Sequence, residues 1–348
     1  MQLPLLPLDK LNSGQPQVGP DDLFLDHFSH EQVWPDTARR EIEDRYRPIT
    51  EETHRFDRRL VSFQGNRKAI LHSWIRYKEG FSSQLVEALI DEFGITPGDT
   101  LLEPFSGSAT TLLVARALGI NAVGIEILPV CHLAWKAKAS IFDYSLDELR
   151  EIYQRLEALE PAHTEAHFPH LFITQGAFPE EVEEQLMFFT EWATSLDTSH
   201  QTRDLLRLIL TSSLEEISYT RKDGQYLRWD SRSTKVLERN KLRAEQGKKL
   251  IQGLDKGDIP SLKATILAAL QVIINDIAEL QKRPFIESTQ TLIRGSVLSV
   301  LPTVESDQYA GVITSPPYCN RYDYTRTYAL ELAYLGVGVS KDFLVPMA

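Results

Sequence analysis

Cysteine is nearly absent. Cys131 and Cys319 are the two in 348 residues, too few for a disulfide framework or a cysteine-built metal centre, so a reducing, cytoplasmic setting and no metal site are expected. No apolar run approaches the roughly 18 to 20 residues of a membrane-spanning helix. The opening MQLPLLPL lacks the basic start and small-residue cleavage site of a secretory signal, and no membrane partner is expected. Internal repeats and low-complexity tracts are missing too. So are the three-glycine dinucleotide fingerprint and the Gly-Lys-Ser/Thr of a phosphate-binding loop, which argues against a pyrophosphate ligand.

Positive charge is in overall deficit, with a formal net charge of −12, so a uniformly basic nucleic-acid binder is excluded. The average hides a segregation. Residues 141–200 hold 13 Asp/Glu against 2 Lys/Arg, whereas residues 221–250 hold 10 Lys/Arg against 4 Asp/Glu. One basic face for phosphates and an acidic remainder in solvent would account for both.

Two stretches carry chemistry. In the first, Thr100 to Glu103 reads as a strand, Phe105 to Ser108 as a tight turn of small residues, and Thr110-Thr111 as the start of a helix buried through Leu112, Leu113, Ala115, Ala117 and Leu118. A second short strand, Ala122 to Ile125, ends at Glu126, 19 residues after Gly107. In a doubly wound sheet such an acid bonds ribose hydroxyls while the glycine turn approaches the ligand closely. A nucleoside with a non-phosphate tail fits this turn better than a dinucleotide.

The second stretch is Val312-Ile313-Thr314-Ser315-Pro316-Pro317-Tyr318. It reads as the end of a buried strand, stopped by two prolines that neither continue a ladder nor enter a helix. Beyond it stand a hydroxyl, proline carbonyls and an aromatic face, the parts needed to hold a planar ring bearing an amine.

Between these stretches, residues 141–285 are helix-rich, with amphipathic spacing over 146–159, 205–217 and 262–280. Arg221, Lys222, Tyr226, Arg228, Trp229 and Arg232 flank a Lys-Asp-Gly-Gln turn signal, and aromatics among arginines resemble a nucleic-acid contact surface. A charged, solvated loop and helix would also fit this segment.

Together, Glu103-Pro104-Phe105-Ser106-Gly107-Ser108-Ala109-Thr110-Thr111 and Ser315-Pro316-Pro317-Tyr318 resemble the cofactor and catalytic motifs of the amino-methylating DNA methyltransferases. Two departures stand in the first motif: Glu103 for an aspartate, and Ala109 for a glycine, which would tighten the turn. The resemblance covers roughly residues 70–140 and 290–335. It implies an α/β, Rossmann-like methyltransferase sheet with a helical insertion, and S-adenosylmethionine as cofactor. Lys78 and Phe81 would line the methionine side, Glu126 would bind ribose, and Ser296 would stand in the adenine-binding motif where an aspartate is common. Ser315, Pro316, Pro317 and Tyr318 would be catalytic. The Ser-Pro-Pro-Tyr form favours cytosine N4 over adenine N6. Cys319 is not read as a cytosine-C5 nucleophile, because Tyr318 separates it from the proline that precedes the cysteine in that family.

The expected domains are an N-terminal arm and lead-in (1–70), a cofactor-binding half (71–140), a helical insert as candidate target-recognition region (141–285) and a catalytic-loop part (286–348). The family's sheet has about seven strands and this sequence supplies about four, so the sheet is expected to be incomplete: either a second polypeptide completes it or the chain is a truncated, inactive product. Double-stranded DNA is the expected substrate, within a restriction-modification system. Rival readings are a non-catalytic DNA-binding or scaffold chain, and an RNA amino-methyltransferase.

Overall fold

The computed structural model describes residues 36–49, 55–223, 226–284, 286–317 and 323–337. The chain divides into two units, Met1–Arg55 and Phe56–Ala348. In the first, helix α1 (Asp36–Tyr46) runs into a 3-10 turn, Arg47–Ile49.

The second unit opens with 3-10 turns at Phe63–Lys68 and His72–Trp74. Helix α2 (Ser83–Glu92) follows, and Ser82 caps it by accepting a hydrogen bond from the Leu85 amide. Then come β1 (Thr100–Glu103), α3 (Thr110–Ala117), β2 (Asn121–Glu126) and α4 (Pro129–Ala139), with Pro129 where a missing N–H costs nothing. Helices α5 (Leu146–Ala158), α6 (Glu180–Ser195) and α7 (His200–Ile217) lead to a hairpin of β3 (Thr220–Lys222) and β4 (Leu227–Trp229). After α8 (Thr234–Glu245) and α9 (Leu262–Leu280) the chain returns to the sheet as β5 (Gln290–Arg294), α10 (Val297–Val300) and β6 (Gly311–Val312), then forms α11 (Tyr324–Thr327) and α12 (Ala329–Tyr334).

Strands β5, β2, β1 and β6 form one sheet in that order, each neighbouring pair parallel. This is a mixed α/β, Rossmann-like arrangement of the methyltransferase kind. Although more than 160 residues separate β2 from β5, the two pair directly, Ala122 with Gln290 through Glu126 with Arg294. The helical stretch is thus a true insertion, and the sheet continues across it.

Two apolar clusters hold this unit. One lies against the sheet, joining Val86 and Ile90 of α2 to Leu101, Leu112, Ile120 and Ile313. The larger runs from Leu71, Trp74 and α4 through α5, α6, α7 and α9 to α12. The insert therefore shares a core with α4 rather than forming a separate globule.

Strand β6 differs from the expectation of a buried strand end. It is two residues long, and Val312 is 54% exposed, while Ile313 alone turns inward. Among the described residues β6 pairs on one side only, with β1. No helix among the described residues is long and apolar enough to cross a membrane.

Candidate functional site

The turn after β1 is folded back onto β2. The Ser106 amide donates to the Ile125 carbonyl, and Ser106 Oγ donates to the Glu103 carbonyl (both 3.0 Å). The next residue must bend sharply: Gly107 has φ +50°, and a Cβ there would stand 2.6 Å from Cε1 of Tyr77. Glycine is required on both counts. Ala109 also sits in the left-handed region, at φ 63° and ψ 38°, with its methyl group fully buried. The alanine at the family's glycine position thus adopts the conformation glycine would hold freely, at a cost of order 1 kcal/mol that its buried methyl group offsets.

Glu126 braces the turn from the end of β2. Its Oε2 accepts from the Gly107 amide at 2.7 Å, and Oε1 accepts from the amides of Ile127 (2.7 Å) and Leu128 (2.8 Å). Burial pushes its carboxyl above the usual range, and these three amides pull it back. Glu103 is pushed well up by burial, and its Oε2 has no hydrogen-bond partner. A buried acceptor left open beside a glycine cradle suits a ligand with donor groups and a close-packed body. Ser296, which caps α10, follows β5 beside Glu126: Gly295 N donates to the Glu126 carbonyl at 3.0 Å.

Strand β6 brings the second motif alongside. Leu102 pairs with Val312, and the Ile313 amide donates to the Leu102 carbonyl at 3.1 Å. Parallel neighbours point their carboxyl ends the same way, so Pro104–Ala109 and Ser315–Pro317 leave the sheet side by side, the latter exposed. Glu103, Pro104, Phe105, Ser106, Gly107, Ser108, Thr110, Thr111, Glu126 and Ser296 are gathered at this edge. Tyr318 and Cys319 lie outside the described residues.

Three expectations are redirected. Lys78, expected beside the cofactor, turns its ammonium to Glu215 at 3.2 Å and to the Lys222 carbonyl. Phe81 is buried in the sheet-side cluster, beneath the turn rather than in an open crevice. Lys222, expected on a DNA-facing surface, is 6% exposed and pairs with Glu331 of α12. The reason is strand alternation: in the β3–β4 hairpin Thr220, Lys222 and Leu227 face inward, while Arg221 and Arg228 face out. Arg221 and Arg228 are register partners, so two like charges stand opposite each other on the exposed face, Arg228 loosely paired to Asp223 at 3.5 Å. Tyr226 is exposed, Trp229 lies under the Lys235 ammonium, and Arg232 is tied to Asp230 at 2.8 Å.

Sequence reasoning missed the residues behind the turn. The Tyr77 ring stacks on Tyr328 with centroids 5.3 Å apart and planes at 19°. The Tyr328 hydroxyl donates to Glu79 and accepts from the Lys78 amide at 3.3 Å. A buried polar core thus joins the segment 77–79, the β3–β4 hairpin and α12 with the residue before it, Tyr328. No group of three metal-ligating side chains occurs among the described residues.

The sheet and its two side-by-side loops are consistent with a Rossmann-like methyltransferase fold, and the chain resembles the amino-methylating DNA methyltransferases in fold and in motif order. Residues 25–135 match the family described as DNA methylase. The type II methyltransferase M.BsoBI of Geobacillus stearothermophilus is 54% identical over 322 residues, 92% of this chain and 63% of the relative. M.AvaI of a Nostoc species, also a type II methyltransferase, is 37% identical over 320 residues, 85% of this chain and 60% of the relative. M.MjaII of Methanocaldococcus jannaschii is 35% identical over 82 residues, 24% of this chain. The chain spans about three fifths of the length of its two longer matches.

Proposed function

We propose that this chain carries the cofactor site and catalytic loop of a site-specific, type II DNA methyltransferase that methylates an exocyclic base amine, cytosine N4 in preference to adenine N6. The observation that carries the reading is the pairing of β1 with β6, from whose carboxyl ends the Glu103–Thr111 and Ser315–Pro317 segments emerge together. The type II relatives support the class of reaction, and the serine in Ser-Pro-Pro-Tyr is the ground for preferring cytosine.

S-adenosylmethionine, when bound, supplies an electrophilic methyl group carried on a sulfonium. The residues suited to hold it are Gly107, whose bend shapes the turn, Glu126 for the ribose hydroxyls, Glu103 for donor groups, and Ser296 beside the base. The chain's remaining task is to raise the nucleophilicity of an amine whose lone pair is delocalised into its ring. Ser315 Oγ and the Pro316 carbonyl are acceptors for the two amine hydrogens, and bonding both draws the nitrogen towards tetrahedral geometry. Pro317 keeps the loop rigid and Tyr318 offers a stacking face for an extruded base. Arg221, Tyr226 and Arg228, on the exposed face of the hairpin, are the part of the insert suited to DNA.

The test is to incubate the purified chain with duplex DNA and radiolabelled S-adenosylmethionine, then digest the DNA and separate its nucleosides. Label in N4-methylcytosine is expected, reduced about 100-fold or more in Ser315→Ala with unchanged cofactor affinity. Label in N6-methyladenine would reassign the base. Absence of both incorporation and cofactor binding would overturn the reading.

A further inference from the structure

Beside the turn that follows β1 lies a cavity of about 400 Å³ whose lining includes Phe63, Arg67, His72, Arg76, Tyr77 and Ser108. None of its lining residues is acidic. The guanidiniums of Arg67 and Arg76 each stand 5.7 Å from the centre of the Phe63 ring, so one ring carries two cations. Both arginines are exposed, and neither is in an ion pair among the described residues. His72 also lines the cavity, and its Nδ1 atom is buried without a hydrogen-bond partner. Lys138 is fully buried behind Ser108 and donates to the Ser108 carbonyl at 3.3 Å, adding positive potential to the same wall.

In a chain of net charge −12, residues 56–78 carry six Lys/Arg and one Asp. Glu215 acts on Arg76 from outside the cavity, but no carboxylate lines the cavity itself, so two like charges held on one ring favour an anion there, and guanidinium forks match phosphate oxygens. The cavity also adjoins the reacting centre: Ser108 follows Gly107 directly, and Tyr77 is the ring against which Gly107 packs. An anion held here would be close to the nucleotide presented to the Ser315–Pro317 loop.

We propose that this cavity is a phosphate subsite, gripping a backbone phosphate of the DNA strand through Arg67 and Arg76 and so registering that strand against the cofactor turn. The inference rests on the DNA-methyltransferase reading above. The hairpin arginines would hold the duplex elsewhere, and this subsite would fix the strand at the place of reaction.

The experiment measures duplex DNA affinity across a salt series for the full chain, its Arg67→Ala/Arg76→Ala double variant and the charge-preserving Arg67→Lys/Arg76→Lys variant, with S-adenosylmethionine affinity measured in parallel. The alanine variant should bind DNA at least tenfold more weakly, with the slope of log affinity against log salt shallower by about 1 to 2. Cofactor affinity should stay unchanged, and the lysine variant should recover most of the slope. Unchanged DNA affinity and slope would overturn the subsite. So would weakened cofactor binding with an intact slope, which would assign the cavity to the cofactor's carboxylate. Parent protein that binds no DNA at any salt would instead defeat the underlying reading.

Discussion

The Lys222 ammonium lies 4.2 Å from the centre of the Tyr328 ring while it pairs with Glu331. Both charged side chains are 4% exposed, and Tyr328 is fully buried. The β3–β4 hairpin and α12 are thereby locked together at one desolvated point. Tyr328 carries the contact on to Tyr77 and so to the underside of Gly107.

Removing one partner of that pair strands the other. Lys222→Met leaves the Glu331 carboxyl buried without its cation, and the expected loss is about 3–5 kcal/mol by urea unfolding. Replacing both, as Lys222→Met with Glu331→Leu, should recover most of that loss, because apolar contacts then replace a costly desolvation. If the double variant is as unstable as the single one, the packing of the lysine stem, rather than charge pairing, holds this point together.

How far the sequence disclosed this depends on whether the signal is local. The β1–turn–α3 unit could be read directly, because an apolar strand, a small-residue turn and a helical stripe follow one another within 18 residues, Thr100 to Ala117. The pairing of β1 with β6 joins strands far apart in the chain and leaves no local signal, so it is seen only in the structure. The hairpin could not be read so, since strands of three residues are too short for an alternation to stand out. Its basic residues therefore read as one surface, and Lys222 was grouped with Arg221. That Lys222 turns inward depends on Glu331, 109 residues away in an otherwise apolar helix, a long-range contact that leaves no trace in local periodicity. The stacking of Tyr77 on Tyr328 is likewise a long-range contact with no local signature.

Gly124 marks the closest approach between β2 and the turn. A Cβ there would meet Ser106 Oγ at 2.2 Å and the Cδ1 atoms of Leu112 and Leu292, each at 2.9 Å. Because Gly124 has no positive φ, the clash is one of space alone. Gly124→Ala is expected to destabilise by about 1–3 kcal/mol, as overpacking does, and to weaken cofactor binding by displacing the turn. Adding Ser106→Gly removes the nearest obstacle and should restore part of both, measured by thermal unfolding and calorimetry. No rescue at all would place the strain on the two leucines.

His72 makes the stability of this fold sensitive to acid. Burial, assisted by the positive charge of Lys138, pushes its pKa from 6.5 down to about 3. Below pH 6.5 the unfolded chain takes up a proton that the folded chain refuses until about pH 3, so the unfolded state binds more protons and stability falls as pH drops through that window. The slope from this one group is at most about 1.4 kcal/mol per pH unit. His72→Gln keeps a polar side chain of similar reach but has nothing to titrate. Its unfolding free energy should therefore decline less steeply between pH 6 and pH 4 than that of the parent, gaining about 1–3 kcal/mol relative to it near the acid end. Parallel pH curves for the two proteins would mean that the folded chain accepts the proton readily, through a shift of the 72–74 turn that opens the ring to water.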